Sequence, residues 1–158
     1  MEKDWIFMND DYICDLRVVG VLIRDNKILV QRERSGNEFA LPGGHIKIGE
    51  TLCDGLAREF KEETGADIIC GRLLWSEECF WEWNGKKSHT IAFYYLTELS
   101  EGSQISDDSE FLSHKDNCNV LIGWMPVDEI RNVTIYPEFI KKEIYNLSDY
   151  PKHFVSKS

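Results

Sequence analysis

The chain has 158 residues, the size of one domain, and we expect a single domain over residues 1-158. With 18 basic and 28 acidic residues its net charge is −10, and it has no basic stripe with which to bind a long nucleic acid. No apolar run is as long as a membrane span and the N-terminus lacks the features of a signal peptide, so we expect a cytoplasmic protein without a membrane partner.

The first half of the chain predicts a pair of strands, a polar turn and one helix. Apolar runs at 18–23 and 28–30 flank a four-residue polar turn, which is typical of a hairpin. After a glycine-rich stretch, the pattern from Leu52 to Thr64 is helical. Thr51 is suited to the N-cap of this helix and Gly65 to its left-handed C-terminus.

The second half predicts a long hairpin, a loop, a strand and a helix. The segments are a strand over Ile68 to Trp83, the turn Asn84-Gly85, a strand over His89 to Leu96, a loop over Glu98 to Asn119, a strand over Val120 to Met125 and a helix over Pro137 to Leu147. Strands and helices follow no regular βαβ order. An α/β fold with a mixed sheet packed by helices is therefore predicted.

The five cysteines are odd in number and irregularly spaced, without a Cys-x-x-Cys pair. This pattern predicts thiols of a reducing compartment rather than a disulfide framework or a zinc site.

Three glutamates of the predicted helix lie beside its apolar face. At about 100° per residue, the apolar positions of the helix share one arc, and Glu59, Glu62 and Glu63 cluster along the edge of that arc. Like charges at these spacings repel each other unless a cation is present. The cluster is either an acidic surface or a site for a hard cation such as Mg²⁺, which prefers oxygen ligands.

The loop before the helix favours the second interpretation. It contains Gly43, Gly44 and Gly49 and ends in a further carboxylate, Glu50. Glycines allow backbone N–H groups to approach an anion closely, and a helix N-terminus adds favourable polarity. Gly43 and Gly44 are therefore candidate substrate-binding residues.

The combined string from Gly44 to Ala66 resembles the box of the Nudix hydrolase family, which includes MutT-like enzymes. The family pattern is Gly-x5-Glu-x7-Arg-Glu-U-x-Glu-Glu-x-Gly-U, where U is a bulky apolar residue. All seven fixed charged and glycine positions agree, at the same spacing. The only departure is the small Ala66 at the last position, and the match spans 23 of the 158 residues.

The resemblance implies an α/β/α sandwich with a mixed β-sheet and a loop–helix–loop catalytic platform. It further implies that Glu59, Glu62 and Glu63 hold Mg²⁺, with Mn²⁺ as an alternative, and that Glu50 and Arg58 assist in catalysis. The implied reaction is attack of water on phosphorus, which cleaves a phosphoanhydride bond in a nucleoside diphosphate linked to another moiety. A small nucleotide-like molecule is the implied substrate.

Several points stay open at the level of sequence. The general base is a box glutamate or an acid of the late loop, where Asp107, Asp108, Glu110 and Asp116 are candidates. The proline, tyrosine and upstream signatures of the ADP-ribose, diadenosine-polyphosphate and coenzyme A sub-families are missing, which disfavours these substrates without selecting another. The alternatives to an active hydrolase are a nucleotide-sensing protein without turnover and an isomerase of prenyl diphosphates.

Tryptophans of the long hairpin offer a further hypothesis. Trp75, Trp81 and Trp83 share one strand face by period two. Because Trp81 and Trp83 lie near the hairpin tip, we expect them to line a base pocket or to form part of a homodimer interface, with the interface favoured.

Overall fold

The computed structural model describes residues 3–115 and 119–158. The described strands are β1 (Ile6–Met8), β2 (Tyr12–Arg24), β3 (Lys27–Glu33), β4 (Glu38–Ala40), β5 (Gly43–His45), β6 (Ile68–Trp83), β7 (Lys86–Leu99), β8 (Phe111–Leu112), β9 (Val120–Pro126), β10 (Thr134–Tyr136) and β11 (Lys152–Lys157). The helices are α1 (Leu52–Thr64), a 3-10 helix (Val127–Asn132) and α2 (Ile140–Glu143). None of the helices in the described part is long and apolar enough to cross a membrane.

These strands form one mixed sheet. Its main path runs in the order β10-β4-β3-β2-β7-β6-β11; β1 and β5 also pair with β2, and β9 pairs with β3 and β8. The pairs β2–β7, β4–β10 and β6–β11 are parallel, and the other pairs are antiparallel. The predicted mixed sheet is therefore confirmed.

Alternate residues of β2 divide the core between the two faces of the sheet. Val18 and Leu22 pack in a cluster with Leu56 and Phe60 of α1. Val19 and Val21 belong to a second cluster, which includes Ile130, Ile135, Ile140 and Ile144 from the 3-10 helix, β10, α2 and its C-cap. Because successive side chains of a strand point to opposite faces, α1 and α2 cover opposite faces, and the predicted sandwich is confirmed.

The tight turns agree with the sequence pattern. Asp25 and Asn26, between β2 and β3, have φ values of 51° and 61°, and Asn84 and Gly85, between β6 and β7, have 49° and 77°. Both turns thus use the positive φ angles of two-residue hairpins.

The C-terminal region differs from the predicted helix over Pro137 to Leu147. Only Ile140–Glu143 is helical, and the chain continues into β11, which pairs with β6 from Trp75 onward. The predicted loop over Glu98 to Asn119 likewise contains the short strand β8, which pairs with β9.

One expectation about the cysteines is wrong. Cys53 of α1 and Cys70 of β6 form a disulfide, with Cα atoms 5.5 Å apart. The two cysteines are 17 residues apart in the chain and meet only because β6 runs back along the helix. Cys14 and Cys79 are free thiols, and Cys118 lies outside the described residues.

Candidate active site

Helix α1 begins and ends as the sequence predicts. The Thr51 hydroxyl accepts a hydrogen bond of 3.1 Å from the backbone N–H of Asp54, and Gly65 adopts a left-handed conformation with φ of 77°. Leu56 and Phe60 are fully buried against the sheet. This rotation of the helix brings Glu59 and Glu63 to the edge of its buried face, where they are only 2% and 6% exposed.

The two glycines of β5 are required by close packing. A Cβ atom on Gly44 would collide with the Glu59 carboxylate, and one on Gly43 would collide with the carbonyl oxygen of Val18. Both glycines pair with β2 in the sheet. Gly44 therefore lets the loop lie directly against a box glutamate, and a contact of Gly43 or Gly44 with substrate stays a prediction.

Arg58 connects four groups of the site. Its Nη2 donates to Glu50 Oε1 at 2.6 Å and to the His45 carbonyl oxygen at 3.0 Å. Its Nη1 donates to Glu59 Oε1 at 2.9 Å and lies 3.3 Å from Glu62 Oε2. The hydrogen bonds from Arg58 hold the pKa of Glu50 below its ordinary value, and they raise the pKa of Arg58 itself. Arg58 is thus a fixed cation that orients the carboxylates around it.

A second cation, which the sequence patterns did not single out, reaches the site from the late loop. Lys115 Nζ lies 2.8 Å from Glu59 Oε2 and 3.2 Å from Glu62 Oε2. Burial raises the pKa of Glu62, but the hydrogen bonds and charges of Lys115 and Arg58 together leave the pKa below its ordinary value. Lys115 lies in a polar loop without periodicity, so no local pattern could have indicated it.

The Oε2 of Glu63 is buried and has no hydrogen-bond partner among the described residues. Burial, and next the charge of Glu59, raise the pKa of Glu63 to about 8. The charges of Lys115 and Arg17 act to lower this pKa, but they do not offset the burial of Glu63 and the charge of Glu59. A buried carboxyl group beside a second carboxylate therefore keeps its proton at neutral pH until a cation offsets the charge.

This donor set fits a hard divalent ion. Glu59, Glu62 and Glu63 offer carboxylate oxygens on one helix edge, and the unpartnered Glu63 Oε2 is an available donor. Within residues 3–115 and 119–158, no three Asp, Glu, His or Cys side chains already converge on a common point. Arg58 and Lys115 occupy oxygens of Glu59 and Glu62 in this arrangement, so an incoming ion would displace or rearrange these contacts.

An acid–histidine pair next to the site was missed by the sequence analysis. Asp15 of β2 accepts a hydrogen bond from the Thr90 hydroxyl and lies 2.8 Å from His45 Nε2. Burial raises the pKa of Asp15, but the hydrogen bonds from His45 and Thr90 leave it lowered. A lone carboxylate inside an apolar strand is a signal that could have identified this pair, since charged residues are seldom buried without a partner.

The candidate bases of the late loop engage other parts of the protein. Asp107 forms an ion pair with Arg24, and Glu110 forms one with Arg32 at 2.6 Å. Asp108 is exposed, and Asp116 lies outside the described residues.

Trp75 is fully buried in the core, whereas Trp81 and Trp83 at the hairpin tip are 39% and 52% exposed. Trp81 and Trp83 pair with Ser88 and Lys86 of β7, next to the turn of the hairpin.

The comparison with protein families decides the assignment. The model of the NUDIX domain matches residues 15–146, which cover most of the chain and include every box residue. The chain belongs to the NUDIX family. This match also includes β2 from Asp15 onward, and so both members of the Asp15–His45 pair.

Curated relatives and solved structures agree with this family. The chain is 34% identical over 104 residues to the human m7GpppN-mRNA hydrolase NUDT17, which covers 57% of this chain and 32% of that protein. It is 45% identical over 51 residues to an ADP-ribose pyrophosphatase of Methanocaldococcus jannaschii, 30% of each chain. The chain thus spans about a third of the length of these relatives. A MutT protein from Bacillus halodurans shares the fold, with a TM-score of 0.65 over 89% of this chain and 90% of that one at 17% identity.

Proposed function

We propose that the protein hydrolyses a phosphoanhydride bond in a nucleoside diphosphate derivative, with Mg²⁺ or Mn²⁺ as cofactor. The observation that carries the proposal is the buried pair of Glu59 and Glu63, one of which has an unpartnered oxygen inside the protein. Arg58 and Lys115 pair with Glu59, but Glu63 Oε2 has no partner among the described residues, so an ionised Glu63 would be costly without a further cation. NUDIX relatives are named as pyrophosphatases and as hydrolases of capped RNA, and such substrates share the phosphoanhydride linkage.

Each box residue has a proposed part in this reaction. Glu59, Glu62 and Glu63 would hold the metal ion through their carboxylate oxygens. Bound Mg²⁺ would offset the negative charge that accumulates on the phosphoryl oxygens and on the leaving group. Arg58 would keep Glu50 and Glu59 in position, because its guanidinium hydrogen-bonds both. Gly43 and Gly44 would keep the wall of the site free of side chains next to Glu59.

Activity can be tested by a substrate screen with a matched control. Nucleoside triphosphates, nucleotide sugars, dinucleotides and capped nucleotides are incubated with Mg²⁺, and the products are identified by mass. Glu59→Gln is expected to abolish most of the turnover. Asp54→Asn removes a negative charge from the exposed side of the same helix and is expected to retain it.

The same screen separates the alternatives. Tight binding of a nucleotide without multiple turnover would favour a sensing protein, and this result would contradict the proposed hydrolase. For the isomerase alternative, a prenyl diphosphate is added to the screen, and a product of the same mass that separates from it by chromatography would support an isomerase.

Two further parts of the proposal concern assembly and location. We propose a homodimer in which the exposed Trp81 and Trp83 form part of the interface. We also propose a cytoplasmic location, where the Cys53–Cys70 disulfide would be expected to be reduced. Alkylation of protein in intact cells, followed by mass spectrometry, tests the location: a fully oxidised pair would contradict it.

A further inference from the structure

An apolar groove lies beside α1 on the face of the sheet that α1 covers. Its floor comes from alternate residues of two parallel strands, in which Cys14 is paired with His89 and Leu16 with Ile91. On the same face Val18 is fully buried in the cluster that α1 covers, Leu16 packs against the edge of that cluster, and Cys14 lies outside it. The groove therefore lies on the same face of the sheet, next to the part that α1 covers. Its volume is about 370 Å³.

Aromatic side chains from β1 and the residue before it line the same groove. Phe7 of β1 is paired with Cys14, and the carbonyl oxygen of Trp5 accepts a hydrogen bond from the Leu16 N–H at 3.2 Å. Trp5 and Phe7 are 54% and 62% exposed, although both are large and apolar. Apolar rings held by a strand beside an apolar floor provide the surface on which a flat aromatic ligand can stack.

Asp15 and His89 are polar residues in the lining of this otherwise apolar groove, and the Asp15 carboxylate is already engaged by His45 and Thr90. The Nε2 of His89 is buried and has no such hydrogen-bond partner among the described residues. The imidazole stacks on Phe80 of β6 with ring centroids 4.4 Å apart. Buried polar atoms are nearly always paired in native proteins, and His89 lines the groove, so a ligand toward which the imidazole turns would supply the missing partner of Nε2.

The distance from this atom to the box matches the proposed substrate. His89 is level with Cys14, and Gly44 with Val18, four residues further along β2. Four residues of a strand span about 13 Å, and β7 and β5 flank β2 on opposite sides, so two strand spacings bring the backbone separation to about 16 Å. An extended nucleoside diphosphate bridges a separation of this order between the edge of its base and its phosphates.

We propose that this groove binds the nucleobase of the substrate and that His89 is a specificity-determining residue, whose Nε2 pairs with a polar atom on the edge of the base. This inference rests on the proposed function for the position of the phosphates. An aliphatic ligand would leave Nε2 unpaired, and a site built around one hydrogen-bonding atom rejects ligands that lack the matching atom. Trp81 and Trp83 do not line the groove; they alternate with Phe80 and lie on the opposite face of β6.

Binding measured by calorimetry tests the proposal separately from catalysis. Adenosine, guanosine, cytidine and uridine monophosphates are titrated in saturating Mg²⁺, with ribose 5-phosphate as the ligand without a base. We expect the preferred nucleotide to bind at least about tenfold more tightly than ribose 5-phosphate, because only the nucleotide fills the groove. Equal affinities for all five ligands would overturn the proposal.

Variants of His89 then test its role in specificity. His89→Leu fills the same space without a hydrogen-bonding atom. It should lower the affinity for the preferred nucleotide about tenfold, which corresponds to the loss of one neutral hydrogen bond, and leave the affinity for ribose 5-phosphate unchanged. His89→Gln should recover part of the preference, and His153→Leu, at an exposed histidine of β11, should preserve all of it. An unchanged order of affinities in folded His89→Leu would overturn the assignment.

These binding experiments test the groove even if the protein does not hydrolyse the proposed substrates. Nucleotide binding that depends on His89 without any turnover would retain the base site and refute only the reaction. Turnover together with nucleotide affinities that do not depend on His89 would support the reaction and refute the role of His89 in recognising the base.

Discussion

Replacement of Glu63 by glutamine should raise the free energy of unfolding of the metal-free protein, and this increase over the wild type should become larger as the pH rises. Glu63 is 6% exposed, and burial together with the charge of Glu59 raises its pKa from 4.5 to about 8. The folded state therefore binds the proton more tightly than the unfolded state. The resulting stability is fully present below pH 4.5 and is lost as the pH rises to about 8.

The magnitude follows from the same two values. At about 1.36 kcal/mol per pKa unit, the free energy of unfolding falls by up to about 5 kcal/mol across this window. Since a domain of this size is stable by only about 5–15 kcal/mol, the metal-free protein should be markedly weakened at alkaline pH. Glutamine stays neutral at every pH, so the free energy of unfolding of Glu63→Gln does not fall with pH for this reason.

Urea unfolding in EDTA, followed by tryptophan fluorescence at pH 5, 7 and 9, measures the difference between Glu63→Gln and the wild type. The stability gained by the variant should increase at each step, while Asp54→Asn, on the exposed side of the helix, should show no such trend. A difference that is constant from pH 5 to pH 9 would refute the assigned proton. The variant should also bind Mg²⁺ about 10–100-fold more weakly and lose most of its turnover.

Four other predictions concern the same ion site and the surface. Mg²⁺ or Mn²⁺ at a hundredfold excess over its Kd should stabilise the protein by about 2.7 kcal/mol in thermal scans, with a smaller gain in Glu59→Gln; an unchanged melting temperature would contradict the site. Below pH 8, Mg²⁺ affinity should rise by up to about tenfold per pH unit as the Glu63 proton is displaced, and calorimetry in two buffers should detect the released proton. Lys115→Met should increase Mg²⁺ affinity, because Lys115 then no longer competes for Glu59; equal affinities by titration would refute this competition. Trp81→Ser with Trp83→Ser should convert dimers into monomers by light scattering, and a wild type that is already monomeric would exclude the proposed interface.

Local signals sufficed where the fold depends on neighbouring residues. Helix α1 has the predicted bounds because its cap, Thr51, and its left-handed end, Gly65, are both encoded within the segment. The same holds for the turn at Asn84 and Gly85, whose positive φ angles follow from the residue types. Such features need no information about distant parts of the chain.

The sequence patterns missed features that depend on residues far apart in the chain. The helix expected over Pro137 to Leu147 is formed only over Ile140–Glu143, and β11, which follows at Lys152–Lys157, pairs with a strand 77 residues earlier in the chain. Cys53 and Cys70 approach each other through the packing of α1 against β6, which no cysteine spacing reveals. Such contacts are set by tertiary structure and are not recorded in a local pattern.

Only some of the site residues could be predicted from the sequence, and the reason is physical. The box glutamates form a fixed pattern because one helix has to place them on one edge, and a period of 3.6 residues records this constraint in the sequence. Lys115 and His89 reach their positions from other elements, so each appears in the sequence as an isolated residue.

Periodicity also cannot distinguish a protein core from a ligand groove. Leu16 and Val18 of β2 are both apolar and point to the same face, yet α1 covers Val18 and leaves Leu16 at the groove. The difference arises where the helix ends its contact with the sheet, and this boundary is set by packing rather than by residue type. An unpaired polar atom among apolar side chains, such as His89 Nε2, is therefore the stronger indication that the uncovered part of the face serves a ligand.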